Sequence, residues 1–206
     1  MQNRRLARVV PEQERMAIKI SRTFYYHDFP NPTLDDKITI LEDRVIGWLT
    51  EPAHRVAEEI PHSGFAVLLI LSNYFEMAAK FRDGICENAH SGKYFKEGIR
   101  WVFPEKMFTD AQCQLIWEEL RNGLYHAGVT GPRAALDRNF PDPLSIEGSG
   151  DRMVLLVNPH TLPGRLESHF VSYVQRLRDR TENNLRTNFE NRFDWLGTPK
   201  RMSTKH

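Results

Sequence analysis

TDAQCQLIWEELRNGLYHAG, residues 109–128, decides the fold. Thr109 followed by Gln112 matches a capping box, in which each side chain satisfies a backbone N–H of the other residue. Cys113, Ile116, Trp117, Leu120 and Leu124 then recur at steps of three and four, the period of one buried helical face. Gly128 and Gly131-Pro132 stop the helix. Its polar end gathers Arg121, Asn122, Tyr125 and His126.

Working outward toward the N-terminus, Tyr94–Phe103 (YFKEGIRWVF) predicts a short helix stopped by Pro104. Phe65–Phe81 (FAVLLILSNYFEMAAKF) is apolar on nearly every side and predicts one central, buried helix. Asn73, Glu76, Lys80 and Asp83 fall on one face of it, and a buried helix keeps a carboxylate only where something compensates it. The plain alternative is an exposed stripe with Glu76 and Lys80 as an i,i+4 pair. Thr33, with Asp35 and Asp36 behind it, predicts an N-cap. Ile38, Leu41, Val45, Ile46 and Leu49 continue that helix until Pro52 ends or kinks it, and Ala53–Ile60 forms a second piece. Ahead of it, residues 1–32 read as an arm packed on the main domain. Pro11 to Glu14 looks like a helix start, and Arg22–Phe29 reads as extended and aromatic.

On the other side, residues 130–143 read as a loop. Leu144–Ile146 and Met153–Val157 read as a β-hairpin ended by Asn158-Pro159. One long helix is predicted from about Pro163 to Asn191, followed by a polar, basic tail over 196–206. The expected fold is mainly α: an antiparallel up-and-down helical bundle over 33–195, with the small hairpin inserted before the C-terminal helix.

The 206 residues suit one domain, and 40% hydrophobic with 27% charged residues suffices for a packed core. A formal net charge of +1 excludes a strong global field toward nucleic acid or anionic lipid. The longest apolar run, Phe65–Leu71, is expected to be too short for a membrane span, and no secretory signal is evident. Cys86 and Cys113 lie in no metal-ligand spacing, so a reduced cytoplasmic setting without metal or other cofactor is expected.

The chemistry of the key helix points to phosphate. Arginine's planar fork matches phosphate oxygens, and histidine exchanges protons near neutral pH. Together they can cleave RNA without metal, His126 deprotonating a ribose 2′-hydroxyl and Arg121 holding the charged transition state. Asn122 and His126 are four apart and share a face. Arg121 and His126 are five apart and diverge by roughly 140° in a regular helix, so they converge only through Arg's long stem, local unwinding or a two-fold axis. Gly123 permits close backbone packing, against this chain or a second subunit. The spacing alone is common: Arg22/His27 and Arg55/His62 match it too.

RNGLYHAG, following a buried helix with NYFEMAAKF, resembles the HEPN superfamily (higher eukaryotes and prokaryotes nucleotide-binding). The resemblance covers the layout of residues 34–190 and is specific only around 121–128. It implies a helical, usually dimeric domain in which Arg121 and His126 are catalytic, Asn122 assists and Glu76 orients Arg121; Tyr125, beside His126, is a separate supporting candidate. It further implies a metal-independent ribonuclease of a toxin–antitoxin or defence system, with RNA, a homodimer partner and an antitoxin or other protein as partners, and no membrane. The alternative is a non-catalytic RNA-, nucleotide- or protein-binding module. A third reading is a structural helical dimer whose polar group is a buried network. For single residues, Arg121 can instead pair with Glu118 or Glu76, His126 can serve the helix dipole, and Tyr125 can be packing. His90, His160 and His169 are expected to be surface or structural residues.

Overall fold

A computed structural model describes residues 18–124 and 128–197. The predicted helix start near Pro11, as well as Tyr125, His126 and most of the tail, lies outside them. The described chain is mainly helical with bundle character. Its helices are α1 (Leu34–Val45), α2 (Glu51–Glu59), α3 (Gly64–Leu71), α4 (Tyr74–Asp83), α5 (Ser91–Val102), α6 (Asp110–Ile116), α7 (Leu162–Arg178) and α8 (Asn183–Gly197).

The two caps read from sequence are both formed. The Thr33 side chain accepts from the Asp36 N–H, and Thr109 accepts from the Gln112 N–H. Pro52 does not break the chain into two helices. Residues Ile46–Thr50 instead form a π-helical turn that joins α1 directly to α2. A proline removes one helical donor, and one wider turn absorbs the mismatch. The joined rod runs antiparallel to α7: His54 meets Glu167 at 3.0 Å, and Glu42 pairs with Arg178.

Three expectations are corrected. The predicted Phe65–Phe81 helix bends at Ser72-Asn73, which separates α3 from α4. Taken together, Gly64–Asp83 is long and apolar enough to cross a bilayer, but 56% of its most apolar window is buried in the fold, as in a core helix. The predicted C-terminal helix is two helices, broken at 179–182 where Asp179 accepts from the Thr181 N–H and hydroxyl. The Arg22–Phe29 stretch is extended only locally, at Tyr25, which bridges antiparallel to Lys19. It turns through a 3₁₀ segment at Tyr26–Asp28 and leaves Tyr25 and Tyr26 exposed.

The predicted hairpin is formed by β2 (Leu144–Glu147) and β3 (Val154–Val157), with Leu144 opposite Val157. The expected loop before it contains a third strand, β1 (Ala134–Leu136), parallel to β3, which gives the order β1-β3-β2. Three residues of mixed exposure carry too little alternation to be read as a strand. Leu155 and Val157 of the central strand are fully buried and join the helical core.

The centre of that core is aromatic: Tyr74, Phe75, Phe95, Phe103 and Phe170 are almost wholly buried. The helices α4 and α5 cross where a Cβ at Gly98 would lie 1.9 Å from the Phe75 carbonyl oxygen, so only glycine fits that contact. The pair α5 and α6 is antiparallel, with Arg100 against Asp110, Lys96 against Gln114, and Gly92 against the Trp117 indole.

Candidate functional site

The helix quoted first does not stay α-helical. From Trp117 to Asn122 it widens into a second π turn, and Arg121 and Asn122 are its last two residues. Such turns displace side chains from the regular α register and are frequent at functional sites. Gly123 follows, and a Cβ there would lie 2.7 Å from the Gly131 nitrogen and 2.9 Å from the Val129 oxygen. The close packing expected of Gly123 is therefore met within the chain, by residues 129–131 folding back on the turn.

That fold-back is locked. The Gly131 N–H donates to the Glu119 backbone oxygen at 3.1 Å. The buried Glu119 carboxylate accepts from the Arg133 backbone N–H at 3.0 Å and from its Nε at 3.1 Å. Glu118, one of the two carboxylates expected to serve Arg121, is held by Gln114 at 2.8 Å and Arg133 at 2.9 Å.

Glu76, the other, faces this turn from α4. It accepts from Lys80 Nζ at 2.7 Å and from the Ser91 hydroxyl at the start of α5. Burial alone would raise its pKa. The hydrogen bonds from Lys80 and Ser91 and the positive charges of Lys80 and Arg121 outweigh that, so the carboxyl is held below its ordinary value. The plain i,i+4 pairing of Glu76 with Lys80 is thus present, but not as an exposed stripe, because the Lys80 side chain is 2% exposed. Its ammonium lies 5.4 Å from the centre of the Tyr94 ring. Arg192, from α8, is a further cation in the field of Glu76, and it donates to the Ile85 oxygen at 2.8 Å. The Glu76 carboxylate therefore pairs directly with Lys80 and lies in the field of Arg121.

Of the residues singled out in the sequence, Arg121 lies close enough to Glu76 for its charge to lower the carboxyl pKa, and Asn122 sits beside Arg121 on the π turn, half-buried. Asn73 is exposed, and Asp83 turns away to Arg82 at 2.6 Å. Tyr125 and His126 lie outside the described residues. Among the described residues no group of three or more His, Cys, Asp or Glu is placed to hold a metal ion.

Sequence reasoning missed Ser91 and Arg192, which no spacing links to Glu76. His169, expected to be a surface or structural residue, is structural. In the fold His169 Nδ1 is 2.7 Å from the Tyr74 hydroxyl, and its ring packs edge-on to Trp101. Burial, with the charges of Arg165 and Arg82, lowers the His169 pKa to about 4. A separate cavity of about 640 Å³ lies between the turn after α2 and the end of β1, bordered by His62, Phe65, Thr130, Leu136, Arg138 and His160. Buried Asn158 braces its wall by donating to the Arg138 and Phe140 oxygens and accepting from the His160 and Thr161 N–H groups. Compared with protein-family models, curated proteins and solved structures, the chain matches none.

Proposed function

We propose that this chain is a metal-independent endoribonuclease of the HEPN type. The observation that carries the reading is the pairing of fields between Arg121, on the π turn, and Glu76, a carboxylate kept ionised on the neighbouring buried helix. An arginine restrained by an opposite charge meets phosphate as a fixed fork. In the reaction, His126 removes the proton of a ribose 2′-hydroxyl. The 2′-oxygen attacks the adjacent phosphorus, Arg121 stabilises the charge on the phosphorane, and the P–O5′ bond breaks as the 5′-oxygen takes a proton from solvent. The products are a 2′,3′-cyclic phosphate and a 5′-hydroxyl. Asn122 assists by hydrogen bonding beside Arg121.

A second reading, a non-catalytic RNA-, nucleotide- or protein-binding module, draws support from one contact. Glu76 is already engaged by Lys80 and Ser91, so it is not dedicated to Arg121. The two readings separate on incubation of purified protein with a panel of single-stranded RNAs in EDTA. The ribonuclease reading expects cleavage that His126→Ala removes while the circular dichroism spectrum stays unchanged. Intact RNA across the panel would leave the binding module.

A further inference from the structure

We infer that the groove between α5 and α6 is the track along which the phosphate backbone of a single RNA strand reaches Arg121. This deepens the ribonuclease reading above and rests on it. The groove has a volume of about 560 Å³ and is bordered by Lys93, Lys96, Glu97 and Arg100 on α5 and by Asp110 and Gln114 on α6, three cations against two carboxylates.

The antiparallel register gives the groove a direction. Stepping along α5 from Arg100 through Lys96 to Gly92, a rise of about 12 Å, the facing residues on α6 and its π turn are Asp110, Gln114 and Trp117. Arg121 comes four residues after Trp117, about one turn on, and so continues the same row past the first turn of α5. One contact marks that end: Ser91, at the start of α5, donates to Glu76, whose carboxylate lies in the electrostatic field of Arg121. By this register the proposed phosphate-binding arginine lies one turn beyond Trp117, past the end of the groove's lining.

Each cation of the groove has a partner, and these partners are neutral, distant or solvent-exposed. Lys96 Nζ donates at 2.9 Å to the side-chain oxygen of Gln114, a neutral group. Lys93 is exposed and reaches Glu97 only at 3.9 Å, and Glu97 is shared with Arg82 at 3.7 Å. Arg100 pairs with Asp110, whose side chain is fully exposed. Exposed pairs of this kind are weak and screened, so a phosphate can take the place of the carboxylate. Spacings of three and four put Lys93, Lys96 and Arg100 on one stripe, which suits a linear polyanion better than a single compact anion.

The test is fluorescence anisotropy of the full chain with a labelled oligouridylate in EDTA, across a salt series. Wild-type protein should bind with a log Kd that varies linearly with log salt. The Lys93→Gln, Lys96→Gln double variant should bind about ten-fold or more weakly at low salt and lose about 1.4 from that slope, about 0.7 for each phosphate contact on a single strand. The Lys93→Arg, Lys96→Arg variant should restore both, which separates charge from packing. If wild-type binds and the glutamine variant keeps its affinity and slope, the groove inference is overturned and the ribonuclease reading stands. If wild-type binds no RNA at any salt, both fall. If the groove variant loses binding but wild-type leaves RNA intact, the groove stands as a binding track and the catalytic reading falls.

Discussion

Lys80 lies one helical turn beyond Glu76, with its Nζ 2.7 Å from the carboxylate and its own side chain almost entirely out of water. Removing one partner of such a pair strands the other charge in a low-dielectric setting. Lys80→Ala should therefore lower unfolding free energy by about 2–4 kcal/mol, measured by urea denaturation. Lys80→Met, which fills the space but removes the charge, should remain less stable than wild-type while Glu76 is ionised. Glu76 has a lowered folded-state pKa, so its stabilisation is fully present above its unfolded value and is lost as pH falls through the folded one. The deficit of Lys80→Met should accordingly shrink below about pH 4.

His169 works in the opposite sense from an ion-paired histidine. Its folded pKa is about 4, below the ordinary 6.5, so between those values the unfolded chain binds the proton and the folded chain does not. Stability should be flat above about pH 7 and fall by about 3 kcal/mol as pH drops toward 4. The His169→Gln variant should lose this part of the pH dependence, as seen in melting temperature against pH.

Gly123 holds residues 129–131 against the π turn. A methyl group there would meet the Gly131 nitrogen at 2.7 Å, and backbone cannot move aside as a side-chain tip can. Gly123→Ala should cost about 1–3 kcal/mol. Because the contact is within one chain, the drop in melting temperature should not depend on protein concentration. A drop that vanishes at high concentration would assign the contact to an association surface instead.

Asn158 is 2% exposed and uses both its amide donor and its oxygen on backbone groups of two separate segments. Asn158→Leu leaves those backbone groups without partners, and each buried orphan costs about 1–3 kcal/mol. Severe destabilisation is expected in chemical denaturation, and Asn158→Asp should recover part of it through the acceptor bonds to His160 and Thr161.

Much of the architecture was legible in one dimension because it depends on neighbours within a turn. Thr33 and Thr109 cap their helices using side chains three residues away, and the face marked by Cys113, Ile116 and Leu120 is the buried one. Hairpin strands four residues long announced themselves by β-branched and apolar residues flanking a Gly-Ser-Gly turn. Helix continuity was less legible. A pattern of apolar residues cannot distinguish a straight helix from one that bends at Ser72-Asn73 or restarts after Asp179, because both keep the same stripe facing the core.

What the sequence determined alone was a helical domain with a polar helix end bearing Arg121 and Asn122, and a separate buried helix that carries a carboxylate. Only the tertiary structure decided what that carboxylate does. Ser91 on α5 reaches Glu76 from a separate segment, and Arg133 takes Glu118 and Glu119 from across the fold-back. The reason is physical: a cap is set by local backbone geometry, whereas the partner of a buried charge is set by whichever helix packing brings against it.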